Sequence, residues 1–397
     1  MSFRQILSTP GVKEVLFTQL LASIGFGIIL PILPFYVTSL GAKPFELGIL
    51  TATFAFVSLV FSPFLGKISD KAGRKKVILF GTFGFVFSYL IFAFASSLEM
   101  VFAARALEGL FAAALFPACV SLISDLTTDR QRGKAMGLFS MVFSLGFILG
   151  PALGGIASAI SVRDAFFLAS GLSLLNFAWI FFKLKEPKEK DESKNLVQKE
   201  TKLLSHLSSP LLFVFLSTFM ITFMIGGLDA VLALYTGEKM DFTSAQVGLL
   251  FAYIGVLIMV MQFVSGTLVN RFGEAKLINA GLVLSAAGFV MLVFTHDWIS
   301  LLLPLAVFVM GNALVFPSAS SLLTKKIAGN RGAVIGLNGS FASSGQMIGP
   351  LLGGFLYGFN HDYAFLGLAT VVFAYALFFF LFAGKNLSEP EPTESAG

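Results

Sequence analysis

Long apolar stretches separated by short polar links run along the whole chain. Twelve of them are long enough to span a bilayer, with approximate limits 13–37, 45–66, 76–96, 99–124, 134–160, 164–184, 210–236, 245–269, 276–295, 298–323, 332–358 and 363–384. An apolar stretch of about 18 residues or more with few charges is typical of a transmembrane helix. The pattern therefore predicts an all-α membrane protein with twelve transmembrane helices.

Composition supports this prediction. Of 397 residues, 56% are hydrophobic and only 12% are charged, whereas soluble domains carry about 25% charged residues. The first apolar stretch is too long for the core of a signal peptide, so we expect it to be the first span. The single cysteine, Cys119, excludes an intrachain disulfide.

The basic residues are distributed unevenly between alternate links. One set of links and the two termini hold 23 of the 27 Lys and Arg, whereas the other set holds only Lys43, Arg163 and Lys239. Positive residues concentrate on the cytoplasmic side of membrane proteins. We therefore expect a multi-pass protein of the plasma (inner) membrane with both termini cytoplasmic. Topology also explains the basic segment at 67–76 better than a nucleic-acid or lipid-headgroup site would.

The two halves of the chain repeat each other. At an offset of 199, seven positions match, namely Gly133, Gly137, Gly146, Gly150, Pro151, Gly154 and Gly155 with Gly332, Gly336, Gly345, Gly349, Pro350, Gly353 and Gly354. Because each unit has six helices, both cross the membrane in the same direction, as in transporters with parallel repeats. We predict two pseudo-symmetric six-helix bundles at 1–185 and 210–384, a charged cytoplasmic linker at 186–209 and a cytoplasmic tail at 385–397.

Four motifs lie in the first half of the chain. They are "GIILPILPFY" at 27–36, "GKISDKAGRKK" at 66–76, "RALEGLFAAALFP" at 105–117 and "GFILGPALGG" at 146–155. With them the sequence resembles the major facilitator superfamily, and within it the twelve-span drug:proton antiporters. One position departs from the family pattern, because Glu108 stands where Gln is usual.

The resemblance implies a conformational latch at the inner ends of helices two to four, formed by Gly66, Asp70, Gly73, Arg74 and Asp125. In the family, the aspartate corresponding to Asp70 faces a helix N-terminus of the other half, and the arginine corresponding to Arg74 pairs with an acid placed as Asp125 is. The alternative is that these charges only anchor the topology. The second repeat has Asn270 and Glu274 in place of Asp70 and Arg74, so we expect the latch mainly in the first half.

The fifth-helix motif contributes Gly146, Gly150, Pro151, Gly154 and Gly155. Small residues four apart lie on one helix face and allow close helix packing. In exporters of the family this packing is expected to seal the central cavity against proton leak, and the alternative is packing alone.

Charged residues inside predicted spans are functional candidates because they are costly in a bilayer. Three lie well inside spans: Arg105, Glu108 and Asp229. Arg105 and Glu108 are three apart and share a helix face, so we expect them to stay paired. We expect Asp229 to face Glu108 across a central cavity and to be the proton-coupling acid, with Glu108 as the alternative. The alternative is that Asp229 caps a helix break at Gly226–Gly227 or faces outer water.

These features predict a proton-coupled exporter of amphipathic, drug-like small molecules, with uptake or efflux of a polar metabolite as the alternative. We expect a monomer whose partners are substrate, protons and lipid, with no nucleic acid, no enzymatic activity, no cofactor and no metal. Polar and aromatic positions in helices one, eight, ten and eleven are the candidates to line the substrate site: Gln19, Phe26, Tyr253, Asn312, Asn338 and Gln346.

Overall fold

The structure is a computed structural model that describes residues 6–186, 211–326 and 331–383. Most of the predicted linker at 186–209 and the tail at 385–397 lie outside the described residues. Within the described part the chain is almost entirely helical.

The helix bounds follow the predicted spans closely. They are α1 (Val12–Ser39), α2 (Pro44–Ala72), α3 (Arg74–Phe94), α4 (Leu98–Leu126), α5 (Asp129–Ile160), α6 (Val162–Lys183), α7 (Leu211–Met240), α8 (Ser244–Phe272), α9 (Glu274–Leu292), α10 (Trp298–Lys326), α11 (Arg331–Tyr357) and α12 (His361–Phe378). Helix α1 has a break at residues 30–32, beside Pro31 and Pro34, because proline lacks the amide donor that a helix interior needs.

Eleven helices of the described part are long and apolar enough to cross a membrane. The exception is α11, whose apolar character is diluted by repeated glycines and by polar residues such as Asn338 and Gln346. Its length and its place between α10 and α12 still make it the twelfth helix of the predicted set.

The helix ends fall on two faces of the molecule. We call the end that carries residues 67–76 the basic face, and the other end the opposite face. At the basic face several helices continue beyond the apolar limits, so α2 runs to Ala72 and α5 begins at Asp129. Gly73 and Gly273 make the tight turns there with φ of 100° and 81°, backbone angles that favour glycine.

The two repeats form two bundles with equivalent packing. In the first bundle α1 packs on α5 and α3 on α4 and α6, and in the second α7 packs on α11 and α9 on α10 and α12. Hydrogen bonds repeat as well: the Tyr36 hydroxyl donates to the Ala95 carbonyl at 2.6 Å, and the Tyr235 hydroxyl donates to the Leu292 carbonyl at 2.8 Å. The structure therefore has the predicted pair of pseudo-symmetric six-helix bundles.

The bundles meet along two equivalent seams, α2 with α11 and α5 with α8. Near the opposite face, a side chain at Gly48 would strike the Pro350 carbonyl, and one at Gly248 would strike the Pro151 carbonyl. Near the basic face, no described atom of a neighbouring helix lies within 4 Å of the place that a side chain at Gly66 or Gly266 would take. The bundles are thus in tight contact at the opposite face, and this close approach does not extend to Gly66 and Gly266 at the basic face.

Candidate functional site

A pocket lies between the two bundles, towards the opposite face. Small-molecule sites in proteins are commonly apolar pockets with a few polar groups. The wall consists of Phe26, Ile29, Leu30, Leu33, Pro34, Leu47, Thr51, Phe54, Arg105, Asp229 and Gln346. It is therefore mainly apolar, with one cation and one carboxylate.

Arg105 is the cation of the wall and is almost completely buried. Its Nη1 donates to Glu108 Oε2 at 2.7 Å, and its guanidinium lies 4.7 Å from the ring centre of Phe54 and 5.8 Å from that of Phe26. The carboxylate compensates the charge, and the aromatic faces add a favourable cation–π contact. These contacts hold the guanidinium in a fixed place at the edge of the cavity.

Asp229 is the carboxylate of the wall and comes from α7 of the second bundle. No hydrogen bond or ion pair joins it to another described residue. Helix α7 runs without interruption from Leu211 to Met240, so the alternative that Asp229 caps a break at Gly226–Gly227 is wrong. Those glycines instead make room for Gln346, Pro350 and Leu368.

The expectation that Asp229 faces Glu108 across the cavity is wrong, because the α4 residue that lines the cavity is Arg105. Glu108 has no exposed surface and is not part of the wall. Arg105 and Glu108 share one face of α4. The long Arg105 side chain reaches the cavity, whereas the shorter Glu108 side chain is buried and does not line the cavity. Asp229 therefore shares the cavity with Arg105.

Two of the six predicted lining residues, Phe26 and Gln346, lie in the wall. The other four, Gln19, Tyr253, Asn312 and Asn338, do not. Gln19 donates to the Ser23 hydroxyl, Tyr253 to the Leu302 carbonyl and Asn312 to the Phe308 carbonyl, at 2.8, 3.0 and 3.1 Å. Gln19 and Asn312 thus bond within their own helices and Tyr253 bonds from α8 to α10, so these three polar groups do not mark the cavity.

The apolar lining residues were not predicted, since apolar residues in apolar spans do not stand out. One signal was present, because the first-helix motif at 27–36 contains Ile29, Leu30, Leu33 and Pro34 of the wall. The motif thus marks the site, although its individual residues carry no distinctive chemistry.

At the basic face, the predicted latch residues lie close together within the first bundle. Arg74 Nη2 contacts Asp70 Oδ1 at 2.6 Å, and Arg74 Nε donates to Asp125 Oδ2 at 3.2 Å. The Asp70 side chain is 62% exposed and pairs with its own helix. In this conformation, Asp70 therefore forms an ion pair within its own bundle.

Gly66 and Gly73 differ in what surrounds them. No described atom of a neighbouring helix lies within 4 Å of the place of a side chain at Gly66, whereas a side chain at Gly73 would strike the Glu186 carboxylate. Glu186 Oε1 accepts from the Lys75 amide at 3.3 Å, which places an acid at the N-terminus of α3, where it is favourable. The first residue of the predicted linker is therefore attached to the latch.

The second bundle has an ion pair at the equivalent place with the signs reversed. Lys325 Nζ donates to Glu274, which also accepts from the Ser321 hydroxyl. At an offset of 200, Glu274 corresponds to Arg74 and Lys325 to Asp125. Comparing the two repeats for identical charges misses this ion pair, whereas comparing them for pairs of complementary charges finds it.

The fifth-helix motif packs against α1. Side chains at Gly146, Gly150 and Gly154 would strike Ser23, Ile24 and Ile28 of α1. Gly155 faces the other way and leaves room for Ala245 of α8. Pro151 lies beside Gly27 of α1, and its carbonyl lies beside Gly248 of α8. The motif thus brings α5 close to its own bundle and to the partner bundle.

These features define a polytopic membrane protein with two repeated bundles and a mainly apolar cavity between them. The chain belongs to the Major Facilitator Superfamily, whose profile matches residues 15–266 and 214–397.

Curated relatives cover most of the chain. It is 32% identical over 366 residues to multidrug resistance protein 1 of Bacillus subtilis (strain 168), covering 91% of this chain and 93% of the relative. It is 29% identical over 344 residues to the quinolone resistance protein NorA of Staphylococcus aureus (strain COL), covering 86% and 88% of the two chains.

Solved structures share the fold. A bacterial homologue of the human lysosomal transporter Spinster, inward-facing and occupied, has a TM-score of 0.78 at 14% identity and covers 94% of this chain and 96% of its own. The human organic anion transporter MFSD10 has a TM-score of 0.71 at 21% identity and covers 96% of this chain and 100% of its own. At these identities the likeness shows the fold alone.

Proposed function

We propose that the protein is a proton-coupled secondary transporter that exports amphipathic, drug-like small molecules. The observation that carries the proposal is the cavity between the bundles, whose apolar wall holds Arg105 and Asp229. A mainly apolar wall with two charges suits an amphipathic guest better than a sugar or an amino acid, which would need more polar partners. The names of the curated relatives support multidrug export, and we assign no enzymatic reaction to the chain.

Alternating access of the two bundles would move the substrate. The seams of α2 with α11 and of α5 with α8 close the opposite face, whereas near the basic face no described atom of a neighbouring helix comes within 4 Å of a side chain at Gly66 or Gly266. With the positive-inside distribution, the basic face is cytoplasmic and this conformation is inward-facing. Residues 1–185 and 210–384 are then the two moving bodies, joined by the linker at 186–209.

Asp229 is the proposed coupling residue. It is the acid of the cavity wall, and no described residue forms an ion pair or a hydrogen bond with it, although the charge of Arg105 acts on it. Glu108 is less suited, because Arg105 pairs with it and it does not reach the cavity. A carboxyl without a cation partner exchanges a proton at lower cost than one in a buried ion pair. Proton binding at Asp229 and substrate binding in the same cavity would then compete.

The ion pairs at the basic face act as the latch in this proposal. When the cleft closes, Asp70 would exchange its contact with Arg74 for contacts in the other bundle. The reversed pair Glu274–Lys325 would hold α9 against α10 as Arg74–Asp125 holds α3 against α4. The glycines of the fifth-helix motif would keep the cavity closed to protons.

Purified protein in liposomes tests the proposal. Ethidium, a fluorescent amphipathic cation, serves as the probe, and a pH gradient of either sign is imposed across the membrane. We expect ethidium to accumulate against its own gradient only when protons flow the other way. Ethidium movement that ignores the pH gradient would contradict proton coupling, and transport of a polar metabolite alone would favour the alternative.

A further inference from the structure

Six buried side-chain atoms of the first bundle have no hydrogen-bond partner among the described residues. Three of them belong to neighbouring side chains of α3 and α4, namely the Tyr89 hydroxyl, Glu108 Oε1 and Arg105 Nε. The three side chains are 1%, 0% and 3% exposed. Leaving one such atom unpaired costs about 1–3 kcal/mol, and more for a charged group. Three such atoms on neighbouring side chains therefore require a partner.

The three atoms are complementary in kind. Arg105 Nε donates a hydrogen bond, Glu108 Oε1 accepts one, and the Tyr89 hydroxyl can do both. The charges of Glu108 and Arg105 both act on the Tyr89 hydroxyl, although neither side chain forms a direct hydrogen bond with this hydroxyl. A buried water with two to four polar partners is the usual solution for atoms in this relation.

Gly25 of α1 provides space beside the hydroxyl. A side-chain carbon built at Gly25 would lie 3.5 Å from Tyr89 Oη and 3.7 Å from Ser173 Oγ. These are ordinary contact distances, so a methyl group at Gly25 would fit and would lie against both hydroxyls. The Ser173 hydroxyl donates to the Ala169 carbonyl and can still accept a hydrogen bond.

The second bundle shows how the same place is filled without polar groups. The positions equivalent to Tyr89, Arg105 and Glu108 are Phe289, Leu305 and Phe308, and those equivalent to Gly25 and Ser173 are Met224 and Val372. All five are at most 3% exposed, and the rings of Phe289 and Phe308 lie 4.9 Å apart. The fold thus packs a dry core here, so the polar set in the first bundle is not a requirement of the helix packing.

We infer that the first bundle binds water behind the Arg105–Glu108 pair, between Gly25, Tyr89 and Ser173. The bound water joins the Tyr89 hydroxyl to the free atoms of the ion pair and so fixes the pair from the side away from the cavity. Tyr89 is a positioning residue for Arg105. The site itself is independent of the proposed function, whereas its effect on transport rests on that function.

Radiolytic hydroxyl-radical footprinting of the whole protein in detergent or nanodiscs tests the site directly. Radicals formed from a bound water modify the side chain beside it even when bulk solvent cannot reach that side chain. We expect Tyr89 to be modified several-fold faster than Phe289, its equivalent in the dry bundle. Equal modification of Tyr89 and Phe289 would overturn the water site.

Two variants sharpen the test. Gly25→Ala fills the space beside Tyr89 at ordinary contact distances, so the fold should survive and the modification of Tyr89 should fall to the level of Phe289. Gly171→Ala is the control, since it makes the same change in α6 where no described atom lies within 4 Å. An unchanged rate at Tyr89 in Gly25→Ala would place the water elsewhere and refute the site.

Transport measurements then test the positioning role. Tyr89→Phe keeps the ring and its stacking on Phe85 but removes the hydroxyl. We expect Tyr89→Phe and Gly25→Ala to slow ethidium transport several-fold at equal amounts of folded protein, and Gly171→Ala to leave it unchanged. Normal transport by both variants would refute the positioning role, while the footprint would still report on the water site.

Discussion

Arg105 and Asp229 lie in the wall of the same cavity, although they come from different bundles. Arg105 is held by Glu108 and by two aromatic rings, whereas Asp229 has no such support among the described residues. The fixed cation and the unpaired carboxylate have different roles in the proposed mechanism, and each role can be tested separately.

Asp229→Asn should abolish the accumulation of ethidium against a gradient, because the amide cannot bind and release the coupled proton. Binding of ethidium, measured by its fluorescence, should weaken only about threefold, since one partly exposed charge contact contributes about 0.2–1 kcal/mol. Asp241→Asn is the control: it makes the same change in the link after α7, where φ is 54°, an angle that asparagine tolerates as well as aspartate does. Accumulation that survives in Asp229→Asn would assign coupling to another residue.

Glu108→Gln should destabilise the protein by about 3–5 kcal/mol, because it leaves the buried Arg105 without its counter-charge. Arg105→Leu together with Glu108→Leu should recover most of the lost stability, since Leu305 and Phe308 fill the equivalent positions in the second bundle. Thermal unfolding in detergent gives the stabilities.

The double variant at Arg105 and Glu108 should still fail to transport, because the cavity has lost its cation. A double variant that transports normally would show that Arg105 serves the fold alone.

Arg74→Ala and Asp125→Ala should each reduce transport strongly. Each should lower the free energy of unfolding by less than about 1 kcal/mol, because the ion pair is partly exposed. If Arg74 and Asp125 act together, the double variant should be no slower than either single variant. Additive losses in this double-mutant cycle would mean that the contact is not used during transport.

In the second bundle, Glu274→Lys or Lys325→Glu alone should slow transport, and both together should restore it, because the opposite charges are present again. Failure of the exchanged pair to restore transport would mean that more than charge complementarity is needed there.

Cysteines at Ser158 and Ser244 should form a disulfide on oxidation, because the two hydroxyl oxygens lie 2.7 Å apart across the α5–α8 seam. The cross-link would hold the opposite face closed and stop transport, and reduction would restore it. Each single cysteine variant is the control, and Cys119 is buried. Undiminished transport by the fully cross-linked protein would contradict opening at this seam.

Cysteines at Ser193 and Ser388 should be protected from impermeant thiol reagents in intact cells, whereas a cysteine at Lys43 should react. These positions lie on the two predicted sides of the membrane, and the Lys43 residue is exposed. Reaction at Ser193 from outside would reverse the proposed orientation.

The sequence allowed the helices and the repeat to be predicted because hydrophobic length and matched glycines are direct consequences of crossing a bilayer in close packing. Arg105 and Asp229 could be found because a charge in an apolar span is conspicuous. The residues Leu33, Leu47 and Phe54 of the wall could not be found, since only tertiary packing distinguishes an apolar residue that faces a cavity from one that faces lipid. Asn312 was misleading for the opposite reason, because a polar group can bind the carbonyl four residues before it and face no cavity.

Leu30 and Asp229 occupy the same place in the two repeats, and both lie in the cavity wall. An assembly of two identical six-helix chains would have to put the same side chain at both places: two carboxylates that repel each other, or none. A single chain with two copies can let them diverge, so that one half keeps an apolar surface and the other holds a lone acid. Joining the repeats thus has a chemical consequence, because the fused chain, unlike a pair of identical chains, can offer the cavity an odd number of carboxylates.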